Sequence, residues 1–309
     1  MKLLVLGGTD FVGRAVVEEA LARDHDVTTF TRGSRAIPGA RAVVGDRRGD
    51  LSAIVEPWDL VVDTWSWEPA AVAASADLLA NHADRYVYIS TRSVYDDPGR
   101  GATEAWPTVD GDPDATTSDD YAAAKRGGEL AAVRAFGDRA TLLRPGLIFG
   151  PYENIGRLPW WLNRTARAGR ILAPGPADGR VQYLDARDLA SIALDSVPGV
   201  FDTVTTTTMG ELLGACMAAT GSTGTLVWSD PDAIVAAGIR PWMDLPAWLP
   251  PGEEFDGLRY AAAQTPARPI ADTAADTWEW MQVETPRQRP DRPLLGLDPE
   301  KEAAFLASR

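Results

Sequence analysis

The stretch LLVLGGTDFVGRAV, residues 3–16, combines a short apolar run, a pair of glycines and a helical pattern. The apolar run is typical of a buried strand, and the residues after the glycines place apolar side chains at helical spacing. Gly7 and Gly8 let the backbone turn sharply, and Gly13 lets the helix pack close to the strand. A glycine turn between a strand and a helix is the context that a dinucleotide fingerprint requires, because the N–H groups at the helix start neutralise phosphates. We therefore expect a nucleotide to bind at Gly7, Gly8, Thr9, Asp10, Phe11, Val12 and Gly13.

Asp10 stands where a third glycine often lies in such turns, and an anion there would repel a phosphate. We expect its carboxylate instead to cap the helix by accepting hydrogen bonds from backbone N–H groups. Replacing Asp10 by glycine is then not expected to abolish nucleotide binding.

Strand and helix patterns alternate through the first 145 residues. Apolar or β-branched runs occur at DVTTF, RAVVGD, DLVVDT, RYVYIS and ATLLRP, and helical patterns cover residues 69–80 and 121–136. Strands separated by helices indicate βαβ units with right-handed crossovers. The sequence therefore predicts an α/β fold, a Rossmann-type doubly wound parallel sheet with a smaller C-terminal α/β region that binds substrate. We expect residues 1–150 to form the dinucleotide-binding domain, with residues about 177–206 returning to it, and residues 151–309 to form mainly the substrate-binding region.

Two segments break this rhythm. Residues 96–120 are acidic and rich in Pro, Gly and Thr, with no helical or strand period. A loop of this length inside a compact domain is either a binding or mobile loop, or a solvated acidic connection. Near the C-terminus, RQRPDRPLLGLDP, residues 287–299, indicates an extended surface strap before a final helix from about Glu300.

The composition is that of an ordinary soluble globular protein, with 309 residues of which 45% are hydrophobic and 24% charged. A net charge of −14 argues against nucleic-acid binding. This net charge is compatible with a local basic patch around a single phosphate group. Cys216 is the only cysteine, and His25 and His82 are the only histidines, so we expect neither a disulfide nor a metal site. The apolar run LLVL is too short for a signal peptide and no stretch approaches a membrane span, so we expect a cytoplasmic protein without membrane contact.

The residues after the second strand bear on the choice of nucleotide. A 2′-hydroxyl on the adenosine ribose usually meets an acidic residue about 20 residues beyond the glycine turn, and no acid stands at the end of DVTTFTRGSR. Arg32 and Arg35 follow instead, and their planar guanidinium groups suit a 2′-phosphate. We therefore expect NADP(H) rather than NAD(H), with two solvated loop arginines as the alternative. The further cofactor-binding residues expected after the third and fourth strands are Asp46, Arg47, Thr64 and Trp65.

Residues 121–125 read YAAAK, which places Tyr121 and Lys125 on one face of a helix. A free phenol has a pKa of about 10, and an adjacent ammonium stabilises the phenolate and lowers that value. Such a pair can protonate a carbonyl oxygen while hydride reaches the carbon, or take the proton in the reverse direction. Because lysine is rare in this chain, the spacing would arise by chance only about 0.07 times in a sequence of this composition.

Thr91 follows the strand RYVYIS and lies next to the same expected crevice. A hydroxyl there can hydrogen-bond a substrate oxygen and polarise it. The alternative is that Ser90, Thr91 or Ser93 only satisfies backbone groups of the loop.

The segments GGTDFVG, ISTRSVYDD, YAAAK…E and LLRPGLIFGP occur in this order. Together they give a chain that resembles the extended short-chain dehydrogenase/reductase family, in its NAD-dependent epimerase/dehydratase-like branch, over most of its length. The resemblance implies a triad of Thr91, Tyr121 and Lys125, in which Tyr121 is the acid/base and Lys125 also holds the nicotinamide ribose. It further implies that the segment RPGLI passes beside the nicotinamide through Pro145, Gly146, Leu147 and Ile148.

The resemblance also bears on the cleft and on assembly. Family members line the cofactor cleft after the fourth strand with small residues, so Trp65 is a departure that affects the nicotinamide side or the size of the substrate. The family expectation for assembly is a homodimer through the helices at residues 69–80 and 121–136.

Three activities are compatible with these residues. The first, which the sequence favours, is an NADP(H)-dependent reductase or dehydrogenase acting on a carbonyl or alcohol of a small molecule. The second is a nucleotide-sugar epimerase, which uses the same triad but keeps NAD bound. The third is a non-enzymatic relative, a redox sensor or an RNA-binding protein, which a complete triad and an acidic chain disfavour. Family dehydratases carry Asp-Glu directly after the threonine, whereas Arg92 and Ser93 follow Thr91 here.

The substrate pocket has no contiguous motif in the sequence. Aromatic residues are common in ligand pockets, although each tryptophan is individually more common in the core. The segment PWMDLPAWLPP, residues 241–251, is either a lid over the site or a surface strap. The candidate substrate residues are Trp67, Arg92, Ser93, Tyr152, Trp160, Trp161 and Gln182.

Overall fold

The computed structural model describes residues 1–33, 35–117, 119–287 and 293–307. Their contacts divide the chain into two compact units. The expected surface strap lies partly outside the described residues, and the helix after it begins at Pro299. The larger unit contains Met1–Pro98, Ala102–Gly146 and Ala186–Thr203, and the smaller unit contains Gly99–Gly101, Leu147–Asp185 and residues from Val204 onward.

Strands and helices alternate along the described residues. The strands are β1 Lys2–Leu6, β2 Asp26–Thr31, β3 Arg41–Val44, β4 Trp58–Asp63, β5 Ala83–Ile89, β6 Ala140–Pro145, β7 Leu147–Phe149, β8 Arg170–Pro174, β9 Arg180–Asp185, β10 Gly199–Thr203, β11 Thr205–Thr208 and β12 Thr225–Ser229. The helices are α1 Phe11–Ala22, α2 Pro69–Leu79, α3 Tyr121–Phe136, α4 Arg157–Ala166, α5 Ala186–Asp195, α6 Met209–Thr220, α7 Pro231–Ala236, α8 Asp256–Arg259, α9 Ile270–Val283 and α10 Pro299–Ala307. Short 3₁₀ helices lie at Ser52–Ile54, Arg92–Val94, Gly137–Arg139 and Glu253–Phe255.

A parallel sheet forms the centre of the larger unit. Within the described residues it has seven strands in the order β10-β6-β5-β4-β1-β2-β3. Every neighbouring pair in it is parallel. The inner strands are near-continuous apolar runs because both faces of the sheet are covered by helices.

Two pairs of helices cover this sheet. α1 packs against α5, and α2 packs against α3. The chain moves from β1 through α1 to β2 in one direction along the sheet, and from β4 through α2 to β5 in the other. Because such crossovers are right-handed, the two pairs lie on opposite faces. The prediction of a doubly wound α/β fold is therefore confirmed.

The strand order reverses between β1 and β4, which pair with each other. In open α/β sheets a crevice lies outside the carboxyl ends of the strands at such a point, and ligands bind there. Gly7 follows β1 and Thr64 follows β4. The glycine turn and the end of β4 therefore line this crevice.

The described part of the acidic segment 96–120 is tied to the larger unit at two places. Tyr95 and Thr108 form an isolated antiparallel bridge. The backbone N–H of Ala70, at the start of α2, donates to the carbonyl oxygen of Ala115 over 3.0 Å. These bonds anchor a segment whose sequence has no regular period.

The smaller unit is built on two small sheets and a group of helices. One sheet has the order β11-β9-β7 and the other pairs β8 with β12. β7 is parallel to β9, and β11 is antiparallel to it. α4, α6 and α9 pack against one another, and their apolar faces form a core that contains Trp161, Leu213 and Ala274. No helix in the described ranges is long and apolar enough to cross a bilayer.

Candidate active site

The glycine turn reverses the chain sharply between β1 and α1. Gly7 has φ of 97°, a left-handed conformation that glycine adopts without strain. A Cβ atom at Gly13 would lie 2.3 Å from the carbonyl oxygen of Gly7, so only glycine allows the helix to approach the turn this closely. This geometry brings the first N–H groups of α1 to the carboxyl edge of the sheet, where a pyrophosphate is expected to bind.

Asp10 occupies the position before α1, with φ of −129° and ψ of 143°, but its side chain makes no capping hydrogen bond to the described residues. Its Oδ1 instead lies 3.8 Å from Nη1 of Arg35. The expectation that the Asp10 carboxylate caps α1 is therefore wrong, because the carboxylate faces a guanidinium group. The N–H groups of the first turn are not capped by Asp10, and the charge that would repel a phosphate has a cation beside it.

The two arginines expected to select the cofactor lie beside the glycine turn. Arg32 is exposed and is the first residue after β2. The turn contacts the same strand, because the N–H of Gly7 donates to the carbonyl oxygen of Phe30 over 3.1 Å. Arg35 is held at the turn by its ion pair with Asp10. Arg32 is thus the better placed of the two to meet a group on the adenosine ribose.

Arg47 does not face solvent after β3, as its expected role in cofactor binding would require. Its guanidinium is buried and binds the carboxylate of Asp63 through two hydrogen bonds of 2.9 and 2.8 Å. It also donates to Ser75 Oγ over 2.6 Å. Burial alone would raise the pKa of Asp63, but the charge and hydrogen bonds of Arg47 outweigh burial and hold it below its usual range. The cofactor-binding role of Arg47 is therefore corrected to a structural one, whereas Asp46 is exposed after β3.

Thr64 and Trp65 shape the wall at the end of β4. Thr64 Oγ1 donates to the carbonyl oxygen of Leu6 over 3.0 Å. A Cβ atom at Gly7 would lie 2.6 Å from the same Oγ1. The indole Nε1 of Trp65 donates to the carbonyl oxygen of Glu68 over 3.0 Å. The residue that departs from the family pattern is thus fixed by its own hydrogen bond.

Trp65 also meets the basic residues after β3. The guanidinium groups of Arg47 and Arg48 lie 5.3 and 5.5 Å from the centre of its indole ring. Both distances fall within the range of cation–π attraction. These contacts, together with the bond to Glu68, hold the bulky ring on the side of the β3 loop.

Lys125 joins the ends of two strands. Its Nζ donates to the carbonyl oxygens of Trp65 and Ile89, each over 2.6 Å. Trp65 follows β4 and Ile89 ends β5, so the ammonium lies between the carboxyl ends of adjacent strands. It also lies 4.7 Å from the centre of the Tyr88 ring. Only 2% of Lys125 is exposed, so this geometry is set by the protein interior.

Tyr121 begins α3 one turn before Lys125 and is 40% exposed, so its phenol is accessible to a ligand. The helix start is fixed by Asp120, whose Oδ1 accepts from the N–H of Ala123 over 3.0 Å. Burial raises the pKa of Tyr88 well above its usual value, and smaller contributions come from Asp63 and from Tyr121. Tyr121 and Lys125 therefore both interact electrostatically or by ring contact with Tyr88.

Thr91 lies two residues beyond the strand end that Lys125 binds. Its Oγ1 accepts from the N–H of Ser93 and lies 3.2 Å from Ser93 Oγ. The short helix Arg92–Val94 packs against α3. Thr91 and the Tyr121–Lys125 pair therefore belong to neighbouring elements at the carboxyl edge of the sheet. Thr91 Oγ1 also satisfies a backbone N–H of its own loop, that of Ser93, which is the alternative role that we considered for it.

The segment RPGLI runs from one unit into the other. Pro145 ends β6, and the N–H of Gly146 donates to the carbonyl oxygen of Thr203 over 3.4 Å. Leu147 and Ile148 begin β7 and pair with β9 of the smaller unit. Pro145 and Gly146 belong to the larger unit, as the triad does. Their place beside the nicotinamide stays a prediction.

The substrate candidates of the larger unit differ in accessibility. Trp67 is half-buried and Ser93 is exposed. Arg92 is buried and forms a short ion pair with Asp202. Burial raises the pKa of Asp202 although Arg92 lowers it. The expectation that Arg92 contacts substrate is corrected, because its charge is committed to a buried carboxylate.

The four substrate candidates of the smaller unit comprise two buried and two half-buried residues. Trp161 is fully buried, and its Nε1 donates to the carbonyl oxygen of Pro246 over 2.7 Å, so its expected place in a pocket is wrong. Trp160 is half-buried and makes an edge contact with it, with ring centres 4.6 Å apart. Tyr152 is half-buried and lies against Trp280 at 5.2 Å. Gln182 is buried, and with its amide oriented to satisfy both polar atoms it donates to the carbonyl oxygen of Leu258 and accepts from the N–H of Ala261, which corrects its expected contact with substrate.

The sequence pattern did not reveal a buried group beside the triad. Glu129 lies one turn after Lys125, is fully buried, and binds Arg144 through bonds of 2.8 and 2.7 Å. Burial would lower the pKa of Arg144, but the hydrogen bonds and charge of Glu129 outweigh it and raise the pKa above its usual value. The available signal was Arg144 inside the otherwise apolar strand ATLLRP. A buried charge needs a partner of opposite sign, which here is Glu129.

A second missed group lies in the smaller unit. The guanidinium groups of Arg100, Arg180 and Arg259 lie 4.1, 5.0 and 5.5 Å from the centre of the Tyr260 ring. Asp256 pairs with Arg100 over 2.7 Å. Next to this basic cluster is an open pocket of about 700 Å³. The pocket is lined by Asp178, Arg180, Thr206, Thr207, Thr208, Glu211, Ala261, Ala262 and Gln264.

The fold and the turn define a Rossmann-type α/β protein. A model of the NAD dependent epimerase/dehydratase family matches residues 3–196, which is more than half of the chain. The chain therefore belongs to the NAD-dependent epimerase/dehydratase family, as its resemblance to the extended short-chain dehydrogenases/reductases indicates. A search of curated protein sequences found no match.

Solved structures with the same fold match the chain at low sequence identity. A UDP-N-acetylglucosamine 4-epimerase from Bacillus cereus is 18% identical, with 96% of this chain and 99% of that chain covered and a TM-score of 0.65. A dTDP-glucose 4,6-dehydratase from Bacillus anthracis, in complex with NAD, is 17% identical over 94% and 99% of the two chains, with a TM-score of 0.64. A UDP-glucose 4-epimerase from Thermotoga maritima, with UDP-glucose, is 17% identical over 92% and 99%, also with a TM-score of 0.64. At these identities the similarity shows the fold, and function has to be argued from the site.

Proposed function

We propose that this chain is an enzyme that acts on a nucleotide sugar and keeps NAD bound, as a nucleotide-sugar epimerase does. The observation that carries the proposal is the position of Lys125, whose Nζ binds the ends of β4 and β5 over 2.6 Å, one helical turn after Tyr121. A phenol with an ammonium on the same helix face, at the crevice next to a glycine turn, can take a proton from a hydroxyl oxygen while hydride leaves its carbon, and the reacting sugar hydroxyl of a nucleotide sugar is such a group.

The residues of the glycine turn fit a dinucleotide. Gly7 and Gly13 let the turn close tightly against Thr64 and against the start of α1, and Asp10 does not cap the N–H groups of α1. When bound, NAD supplies hydride transfer at the sugar carbon that bears the reacting hydroxyl.

The chain's own residues supply the proton chemistry in this proposal. The Tyr121 phenolate removes the hydroxyl proton as the sugar is oxidised, and the phenol returns a proton to the oxygen when the sugar is reduced on the other face. The ammonium of Lys125 stabilises the phenolate by its charge. Thr91 donates a hydrogen bond to the same oxygen. No acid–base pair follows Thr91, since Arg92 is committed to Asp202, so elimination of water is not part of the proposed reaction.

The pocket of the smaller unit supports a nucleotide sugar rather than a small apolar carbonyl compound. Its volume of about 700 Å³ lies within the range of ligand pockets. Hydroxyl and amide groups line it together with the carboxylates of Asp178 and Glu211, and Arg180 contributes a cation from the basic cluster around Tyr260. Guanidinium groups suit phosphate oxygens, so in this proposal Arg180 is the residue that meets the diphosphate. The aromatic candidate Trp161 lies in the core instead of a pocket.

Purification followed by nucleotide extraction tests the proposal. We expect NAD to copurify, and the loaded protein to convert UDP-glucose or UDP-N-acetylglucosamine to an epimer without net change in the reduced-nicotinamide absorbance. Arg180→Ala should raise KM for the sugar nucleotide at least about 10-fold, the scale of one lost charged hydrogen bond. Arg170→Ala, which removes the same charge from the start of β8, serves as the control. A protein that binds no NAD and turns over neither sugar nucleotide would contradict the proposal.

An NADP(H)-dependent reductase, which the sequence alone favours, is the second candidate. The observation in its favour is Arg32, which is exposed after β2 where no carboxylate stands to accept a 2′-hydroxyl. Under this alternative the purified protein is free of nucleotide and consumes NADPH in proportion to a carbonyl substrate. Extraction of bound NAD therefore separates the two candidates in one measurement.

A further inference from the structure

The carboxyl end of β5 is bound to α3 by two side chains that lie one helical turn apart. Lys125 Nζ donates to the carbonyl oxygen of Ile89 over 2.6 Å. Ser90 Oγ, in the residue that directly follows the strand, donates to Glu129 Oε1 over 2.7 Å. The neighbouring residues Ile89 and Ser90 are thus bound to successive turns of α3, the helix that carries Tyr121.

Glu129 has no exposed surface, and its carboxylate holds several donors in place. Oε1 accepts from Ser90 and from Nε of Arg144, and Oε2 accepts from Nη2 of Arg144 and from Nη1 of Arg126. Arg144 lies on β6, the neighbour of β5. One buried carboxylate therefore connects α3 with two adjacent strands.

Thr91 is held from its other side by a second buried ion pair. Arg92 binds Asp202 on β10, and Tyr95 donates to the same carboxylate over 2.8 Å. The guanidinium groups of Arg92 and Arg144 lie 5.1 and 4.8 Å from the centre of the Tyr95 ring. The Tyr95 ring thus contacts both ion pairs. Thr91 lies between Ser90, which is bound to the Glu129–Arg144 pair, and Arg92, which is part of the other pair.

Close backbone contact makes this arrangement rigid. A Cβ atom at Gly128 would lie 2.4 Å from the Tyr88 hydroxyl oxygen, and one at Gly127 would lie 2.6 Å from Pro69 Cγ. Helix α3 therefore lies as near to β5 and α2 as glycine allows. Small changes in the Ser90–Glu129 contact have to appear as movement of the loop that carries Thr91, because the helix has little room to follow.

We propose that Glu129 and Ser90 are positioning residues of the candidate active site, which fix the Thr91 loop relative to the helix that carries Tyr121 and Lys125. Neither residue touches the reacting atoms. The proposal rests on the proposed function for its catalytic consequence, but the order of the loop is a property that can be measured without any turnover.

Ser90→Ala is the variant of choice, because it removes one hydroxyl and leaves the Glu129–Arg144 ion pair intact. We expect kcat for the sugar nucleotide that the wild-type protein converts to fall between about 10-fold and 100-fold, the scale of a misplaced reacting group. KM and NAD retention should change less than 3-fold, on the order of a surface substitution. The pH profile of kcat should keep its shape, since Tyr121 and Lys125 stay on one helix. Ser90→Thr, which keeps the hydroxyl, should restore most of kcat.

Thr141→Val is the matched control, because it removes a buried hydroxyl of β6 that donates to the carbonyl oxygen of Val197 over 3.1 Å. It should lower thermal stability about as much as Ser90→Ala while leaving kcat unchanged. Equal loss of kcat in both variants, or a shifted pH profile in Ser90→Ala, would overturn the positioning role.

Amide hydrogen exchange over residues 89–95 supplies the readout that needs no substrate. We expect faster exchange in Ser90→Ala than in the wild-type protein, and unchanged exchange there in Thr141→Val. Unchanged exchange in Ser90→Ala overturns the proposal even if the protein is an active epimerase. If exchange rises but the wild-type protein converts no sugar nucleotide, the positioning stands and the proposed function fails.

Discussion

The ammonium of Lys125 donates to the carbonyl oxygen of Ile89 over 2.6 Å, so the helix that carries Tyr121 is bound directly to the end of the strand that precedes Thr91. A lysine that is only an electrostatic neighbour of a tyrosine would not need two backbone acceptors. Lys125 is buried and its ammonium donates to two carbonyl oxygens, those of Trp65 and Ile89. These bonds fix the face of α3 on which Tyr121 also lies. Turnover and stability should therefore respond to changes at this contact, and cofactor choice to changes at the glycine turn beside it.

Tyr121→Phe should leave cofactor retention intact and lower turnover of the sugar nucleotide at least about 100-fold, because the reaction loses its acid/base group. Steady-state kinetics and nucleotide extraction measure the two effects separately. Tyr183→Phe is the matched control, since that phenol donates to the carbonyl oxygen of Arg268 within the smaller unit, and it should retain turnover within about 2-fold. Full activity in Tyr121→Phe would remove the proposed mechanism.

Lys125→Met should lower the free energy of unfolding by about 1–3 kcal/mol, because the carbonyl oxygens of Trp65 and Ile89 lose their buried donor. Urea denaturation measures the change. Lys301→Met removes an exposed ammonium that donates to the carbonyl oxygen of Gly238 and lies 3.7 Å from Asp244 Oδ2, and because exposed ion pairs contribute little it should cost no more than about 1 kcal/mol. Equal losses in the two variants would mean that the position of Lys125 contributes nothing specific.

Arg32→Ala tests which nucleotide the turn selects. If Arg32 holds a 2′-phosphate, NADPH affinity should fall about 10-fold to 100-fold while NADH affinity stays within a few-fold, because the lost bonds are to a charged group. Calorimetric titration of nucleotide-free protein measures both affinities. Arg23→Ala, at the other end of α1, makes the same change in net charge and should alter neither. An unchanged preference in Arg32→Ala assigns the residue to solvent and strengthens the case for NAD.

Much of the fold was readable from the sequence because its signals are local. The alternation of apolar runs and helical patterns depends on neighbouring residues alone, and the expected bounds of the helix at 121–136 agree with α3. The glycine turn was readable for the same reason, since strand, turn and helix are contiguous. The segment 96–120 was not readable in this way, because a bond that anchors it is made to a distant residue, between the carbonyl oxygen of Ala115 and the N–H of Ala70.

The interior partners of charged residues were not readable in this way. Arg47 looks the same in sequence whether it faces solvent or Asp63, which lies 16 residues away on another strand. Glu129 in an alanine-rich helix looks like a solvated residue until α3 is placed against β6. Trp161 needed the packing of the smaller unit to be recognised as core. Long-range pairing decides all three, and a single sequence contains no record of it.

Asp10→Ala should change the free energy of unfolding by less than about 0.5 kcal/mol, because the Asp10 carboxylate makes no capping bond in the described structure. Asp120→Ala removes a carboxylate that does cap its helix, α3, and should cost about 1 kcal/mol. Urea denaturation of the two variants gives the comparison. Removing Asp10 should also leave NAD binding intact or tighten it, since Arg35 then faces the turn without a counter-charge. Loss of NAD binding in Asp10→Ala would show that the Asp10 carboxylate is needed at the turn.

Glu153 lies just before α4 in the smaller unit and is fully buried. Its Oε1 accepts from the N–H of Arg157 over 2.6 Å, and its Oε2 accepts from the N–H of Leu158 over 3.2 Å. Burial raises the pKa of Glu153 to about 7, although Arg157 and these N–H groups act in the opposite direction. The folded protein therefore holds a proton on this carboxyl at pH values where the unfolded chain has released it.

Replacing Glu153 should for that reason change how stability depends on pH. Between the usual pKa of a glutamate, about 4.3, and about 7, the folded state binds more protons than the unfolded state, so this group's contribution to the free energy of unfolding falls as pH rises. Glu153→Gln removes the titration. Urea denaturation at several pH values should show wild type losing stability relative to Glu153→Gln between about pH 4 and pH 7, with little further change above. Glu211→Gln is the control, because the pKa of Glu211 is lowered by its bonds at the start of α6. Its difference from wild type should stay constant above about pH 5 and change only below the usual pKa of a glutamate, about 4.3, where wild type loses stability as pH falls. A constant difference between wild type and Glu153→Gln across this range would mean that the buried carboxyl stays ionised and that its N–H donors outweigh burial.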